Sequence, residues 1–263
     1  MSGGRKLLIP AEGCHWYLPD GTPFYTVPYA ASSKKKGERN ATLTDAKKVG
    51  AAPSVTTITK IIEKQQLNNY HEEKVFKSTL GIEPKPGEDT NALFARVKAM
   101  SRARGKAASK RGDSMHASLE NYIWFGVPLE KRWQTHCENV MTAMVLVGFD
   151  PEQARAEHSF YHKLGFGGKI DYHEETKVAD FKSKDRIEKD KQYAYREHEM
   201  QLAAYRQGLG LVQAECWNFF VGELDAQVLP IKHEEATLHT AWMMFHHLLA
   251  YWQLDHDYFP GEI

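Results

Sequence analysis

Between Ala156 and Lys182 the chain offers three strand-like runs in quick succession: 156–163, 166–173 and 177–182, with barely a turn's length between them. Runs this short and this close can only fold as neighbouring antiparallel strands, so they constrain the chain more than any other feature. They also carry charges that strands destined for burial rarely hold. If Glu175-Thr176 is the two-residue turn of a hairpin, Glu174 faces Lys177, His173 faces Val178, Tyr172 faces Ala179 and Asp171 faces Asp180. Lys182, two residues past Asp180, then shares the face of both aspartates, while Ile170, Tyr172, Ala179 and Phe181 share the other. Opposed side chains of an antiparallel pair have Cβ atoms about 4.5–5.5 Å apart. Two carboxylates so close repel, and either one is protonated or a cation lies between them. A hard divalent ion with oxygen ligands meets that need, and a lysine beside it can position water or offset charge on a phosphate oxygen.

Around this hairpin the pattern is that of an α/β protein. Helical periodicity runs from Ala92 to Trp124, with a break expected near Gly112, and again from Arg132 to Val147, closed by Gly148. A helix from about Lys191 to Gly208, strands at 214–221 and 226–231, and a last helix from about Glu234 to His256 complete the order. Helices, three strands, a helix, two strands and a helix predict a central mixed sheet flanked by helices. Residues 1–90 read as an N-terminal elaboration packed on a core spanning 91–263. "CHWYLPDGTPFYTVPYA" is a hairpin around Pro-Asp-Gly. The polar stretch 32–52 is a surface loop, and Pro53-Ser54 opens a helix. No run approaches the ~20 apolar residues of a membrane span, and the start "MSGGRKLLIPAEG" is too weakly apolar for a signal peptide.

Other residues fit around the carboxylates. In "RGDSMHASLE", His116 and Glu120 are four apart and share a helix face. His116 is a candidate ligand and Glu120 a support to it. Taken alone, such a pair is more often a surface histidine with a helical neighbour. Gln201 and Tyr205 share a face of the helix after the hairpin, as such residues do on many amphipathic helices. Between Asn91 and Gly112 seven basic residues, Arg96, Lys98, Arg102, Arg104, Lys106, Lys110 and Arg111, stand without one acid. Solvated helices interleave both signs, so a one-sign run leading to His116 reads as a surface for phosphates. Lys184 extends it. Because formal net charge is zero, any such surface must come from local clustering. Trp124, Phe125, Tyr161 and Tyr172 could stack on bases, but read mainly as core. Cys14, Cys137 and Cys216 are far apart and form no CxxC pair, as expected of reduced thiols in an intracellular, cytoplasmic protein.

Four segments in order, "GDSMHASLE", "EHSFYHKLGFGGKIDY", "VADFKSK" and "QLAAY", resemble the motifs of RecB-like nucleases in the PD-(D/E)XK superfamily. "PSVTTI" ahead of them is similar to the mitochondrial genome maintenance exonuclease group and its phage relatives. The resemblance spans roughly Pro53 to Gly208. It implies a restriction-endonuclease-like core and a Mg²⁺- or Mn²⁺-dependent deoxyribonuclease, an exonuclease on single strands or DNA ends in replication, recombination or repair. It also implies metal ligands at His116, Asp171, Asp180 and the carbonyl of Phe181, with Lys182 as the catalytic lysine. Gln201 and Tyr205 would support the site or the nucleic acid, and Glu157 matches an acid of the preceding strand. Ser183 stands where threonine is usual. Iron–sulfur members of the group use four cysteines, which this chain lacks. Two rivals remain at this stage. One is an inactive nucleic-acid-binding accessory protein; the other is a zinc hydrolase built on His116 and Glu120, which lacks an HExxH motif.

Overall fold

The computed structural model describes residues 16–62, 76, 79–80 and 82–261. Its centre is a five-stranded sheet of β5 (Arg155–His162), β6 (Phe166–His173), β7 (Lys177–Lys184), β8 (Glu215–Gly222) and β9 (Val228–His233), side by side in that order. The β5–β6, β6–β7 and β8–β9 pairs are antiparallel and β7–β8 is parallel, which makes the sheet mixed. A parallel neighbour needs a crossover. Helix α5 (Arg196–Gly208) provides it, lying between β7 and β8 in the chain.

Helices cover both faces. On one face, α5 and α6 (Glu235–Asp255) pack with the short α2 (Val55–Thr59) over Phe160, Phe166, Ile170, Val178 and Cys216. On the other, α3 (Thr90–Phe125) and α4 (Gln134–Leu146) contribute Met115, Leu119, Cys137, Val140 and Met144 to a core with Tyr172, Ala179, Phe181 and Phe219. The α/β class and the sheet flanked by helices are as the sequence predicts. Segments before residue 60 join the first core through Trp16, Ala41, Ala46, Val55 and Ile58.

Several local expectations change. Helix α3 runs unbroken through Gly112 for 36 residues. A single glycine costs a helix only about 1 kcal/mol, and this one meets a neighbour: a Cβ on Gly112 would lie 2.8 Å from Ser183 Oγ of β7. Helix α5 begins at Arg196, not Lys191. The Pro-Asp-Gly turn forms, with Phe24 N–H donating to Trp16 O at 2.7 Å, but its flanks find other partners. Strand β1 (Trp16–Tyr17) pairs with β4 (Ala52–Pro53), and β2 (Thr26–Pro28) with β3 (Glu38–Asn40).

Most of the expected surface loop is ordered. It supplies β3 and helix α1 (Leu43–Val49), closed by a capping box in which Asp45 accepts from Thr42 N–H at 2.9 Å, and by Gly50 in the left-handed region. Trp124 is exposed and Phe125 is 73% exposed, so neither is core, whereas Tyr172 is fully buried. Among the described residues no helix is long and apolar enough to cross a membrane.

Candidate active site

The β6–β7 hairpin turns at Glu175-Thr176, with Glu174 N–H donating to Lys177 O at 2.8 Å. Its register begins as the sequence predicts, His173 opposite Val178 and Tyr172 opposite Ala179. The ladder then stops. Where Asp171 was expected to face Asp180, the two strands diverge, and Phe181 N–H donates to the Asp171 carboxylate at 2.8 Å instead of to a main-chain carbonyl. The alternation of faces shifts at the same point. Ile170, expected beside Tyr172, belongs to the core under α5 and α6, while Tyr172, Ala179 and Phe181 belong to the core under α3 and α4. A side chain inserted into a ladder separates the strands and re-aims the residues around it.

The divergence makes room for a cluster of charged groups. His116 arrives from α3, its Nδ1 3.6 Å from Asp171 Oδ2. Met115 and Leu119 on the buried face of α3 anchor that helix to the sheet. Lys182 Nζ lies 2.9 Å from Asp180 Oδ2 and donates to Gln201 Oε1 at 3.0 Å. Gln201, from α5, donates through Nε2 to Asp180 Oδ1 and lies 2.9 Å from the Tyr205 hydroxyl. Gly168 lets Tyr205 approach, because a Cβ there would stand 2.8 Å from its ring. His116, Asp171, Asp180, Lys182, Gln201 and Tyr205 are thus brought together from two helices and one strand pair.

Asp180 is almost wholly buried, while His116, Asp171 and Lys182 keep partial access to solvent. Burial pushes the Asp180 carboxyl up to about 6; Lys182 pulls it down and the Asp171 charge adds to the rise. Burial acts in the same upward sense on Asp171, but His116, Lys182 and the Phe181 N–H together hold it below the ordinary carboxylate range. On His116, burial works against the charge, yet Asp171 raises the imidazole above its usual value. Burial and the two aspartates drive the Tyr205 phenol far up, so it stays neutral. Asp171, Asp180, His116 and Lys182 therefore sit within electrostatic reach of one another, each carboxylate beside a cationic group.

Some candidates stand elsewhere. Glu120 lies within electrostatic reach of Lys169, on β6, whose ammonium also feels Asp171. Arg96 is bound to Glu88 at 2.6 Å and Arg111 to Glu223 at 2.7 Å, so the acids missing from the basic run come from just before α3 and from beyond β8. Arg102, Lys106 and Lys110 point outward from α3. Lys184 rests 5.5 Å above the Phe220 ring, its pKa lowered by burial and then by Lys182 and Lys191. The side chains of Arg104 and Glu157 lie outside the described residues. Among the described residues no group of three or more His, Cys, Asp and Glu side chains is drawn onto one point to grip an ion.

Three contributors escape sequence reasoning. Asn218 donates to Asp180 Oδ2 at 2.9 Å, and His233 Nε2 lies 2.8 Å from Asn218 Oδ1. The signal was a single asparagine inside "ECWNFFVG", an otherwise apolar strand, where a buried amide needs partners. Lys169, two residues before Asp171, is the third.

The fold and this cluster define an α/β protein with a carboxylate, imidazole and lysine site at the parting of two antiparallel strands. No family model matches the chain, and no curated protein matches it. Among solved structures it is similar to that of a Eubacterium rectale protein provisionally named an exonuclease. The identity is 13% over 56% of this chain and 68% of that one, with a TM-score of 0.40. It is also similar to SSO0001, at 13% identity over 69% of this chain and 85% of that one, with a TM-score of 0.29. At such scores neither likeness bears on what the site does.

Proposed function

We propose that the protein is a Mg²⁺- or Mn²⁺-dependent deoxyribonuclease, an exonuclease acting on single-stranded DNA or DNA ends. The observation that carries this reading is the parting of β6 and β7 around Asp171. It sets two carboxylates, His116 and Lys182 in mutual electrostatic contact. Carboxylate oxygens with one imidazole are a donor set suited to a small divalent ion, and the positive charge they require comes here from Lys182 and His116. His116, Asp171, Asp180 and the carbonyl of Phe181 would hold the metal. Once bound, it would supply Lewis-acid charge to the scissile phosphate and acidify water.

The chain's own residues do the rest. Lys182, its ammonium held by Asp180 and Gln201, would orient the attacking water and offset charge on a phosphate oxygen. Tyr205 keeps Gln201 in place. Water adds to phosphorus and the P–O3′ bond breaks, leaving a 5′-phosphate and a 3′-hydroxyl, the outcome that the family resemblance implies. Arg102, Lys106 and Lys110 would hold the strand through its phosphates.

End-labelled single- and double-stranded DNA, with a closed circle as control, tests the reading in Mg²⁺, Mn²⁺ or EDTA. Cleavage that needs metal and spares the circle is expected. Lys182→Ala should lower the rate by about 10²-fold or more while DNA binding persists. Wild-type protein that binds DNA but cleaves nothing under any metal would point to the accessory-protein reading instead.

A further inference from the structure

Asp180 has a second set of partners, drawn from β8 and β9. In the parallel β7–β8 pair Asn218 stands opposite Asp180, and in the antiparallel β8–β9 pair His233 stands opposite Cys216. Cys216 and Asn218 are two apart on one strand, so His233 and Asn218 are diagonal neighbours on the face that also holds Asp180. The side chains join as this register requires: His233 Nε2 to Asn218 Oδ1 at 2.8 Å, and Asn218 Nδ2 to Asp180 Oδ2 at 2.9 Å. Asn218 is fully buried and His233 is 6% exposed, so water does not compete for either bond.

Donor and acceptor inventory sets the direction of this chain. A carboxylate accepts only, so Asn218 must turn its amide NH₂ toward Asp180. That leaves Oδ1 for His233, whose Nε2 must then carry the proton. Burial, which lowers the His233 imidazole to about 4, keeps it neutral. Asn218, Gln201 and Lys182 each donate to Asp180. His233 thereby holds the Asn218 amide against turning over and presenting oxygen to oxygen.

We infer that Asn218 and His233 are positioning residues that hold the Asp180 carboxylate in one orientation for a divalent cation. The inference rests on the nuclease reading of the same site. Partners of this kind typically contribute 10–100-fold to metal affinity.

The test is Mn²⁺ binding, followed by electron paramagnetic resonance, to wild type, His233→Leu, His233→Gln and Asn218→Ala, with thermal melting in EDTA as the folding control. In His233→Leu the donor is gone, and Mn²⁺ affinity should fall about tenfold or more. His233→Gln keeps an N–H donor and should recover most of the loss, which a merely structural role would not require. Asn218→Ala should fall at least as far as His233→Leu. If His233→Leu does not fold, the comparison of His233→Gln with Asn218→Ala decides alone. Equal affinity in Asn218→Ala and wild type, or no recovery in His233→Gln, overturns the inference. Failure of wild type to bind Mn²⁺ at all would instead remove the nuclease reading, and this inference with it.

Discussion

A carboxylate buried at the expense of the fold should betray itself in the pH dependence of stability. The Asp180 carboxyl rises from the ordinary 3.8 to about 6, chiefly by burial. The sign follows from linkage. An acid whose folded pKa is raised costs nothing below its unfolded value, and the full penalty applies once pH exceeds the folded value. At about 1.4 kcal/mol per pH unit the full penalty is ~3 kcal/mol at pH 8. Near pH 4.5 most of the folded protein holds the proton, and the same relation leaves ~1 kcal/mol. Asp180→Asn abolishes this swing. The new amide must turn an N–H toward one of the donors Asn218 and Gln201, which costs about 1 kcal/mol, but that cost is independent of pH. Relative to wild type, Asp180→Asn should therefore gain ~2 kcal/mol between pH 4.5 and pH 8, or roughly 4–8 °C in Tm for a chain of this size. Calorimetric melts of both proteins in EDTA at pH 4.5, 6 and 8 measure it. A Tm difference that stays constant across the three would refute the reasoning, because burial of Asp180 would then carry no charge penalty. The same variant should cleave no DNA.

Three further outcomes follow from particular contacts. A Cβ on Gly208 would fall 1.9 Å from Phe160 Cε2, so Gly208→Ala should destabilise by about 1–3 kcal/mol through displacement of that ring, read as a lower urea midpoint. Asp45→Ala removes a capping box and a carboxylate paired with Arg39 at 2.7 Å; it should cost about 1 kcal/mol. Its bonds to Arg39 and Thr42 hold the Asp45 carboxyl well below the usual range, so that contribution should fade only as pH drops through the acid range, visible in acid unfolding. Replacing Arg102 and Lys110 by Gln should weaken binding of single-stranded DNA and flatten the slope of log K against log salt by about 1.4, as measured by fluorescence anisotropy.

Strands of period two and helices closed by glycine are local patterns, and they are where sequence and structure agree. The hairpin turn at Glu175-Thr176, the three close strands before Lys184 and the helix ending before Gly148 all lie within windows of about thirty residues or fewer. The proximity of Asp171, Asp180 and Lys182 was legible because one turn links them. His116 was legible as a candidate from its helix-face pairing with Glu120, and the resemblance strengthened it, since nothing local says that α3 ends up beside β6. Asn218 and His233 were not legible. They reach Asp180 through a parallel pairing that closes only after α5 has crossed the sheet, and no fixed spacing records it. Helix α1 was missed for a different reason. Its caps, Thr42 with Asp45 and then Gly50, are plain in "NATLTDAKKVG", but its two lysines and the basic run before it mask a single small apolar face. The expected opposition of Asp171 and Asp180 failed because a side chain took a position that ideal register reserves for backbone.

That substitution ties the architecture to the chemistry at one residue. Asp171 closes a gap in the sheet by answering the Phe181 amide, a duty independent of any reaction. The Asp180 carboxylate answers side chains instead, those of Lys182, Gln201 and Asn218. On the nuclease reading, a descendant that abandoned hydrolysis could exchange Asp180 for asparagine, keeping most of those contacts without the buried charge. It would still need an oxygen at 171 for the Phe181 amide, so on that reading a lineage retaining this acid alone would be the expected trace of a lost nuclease.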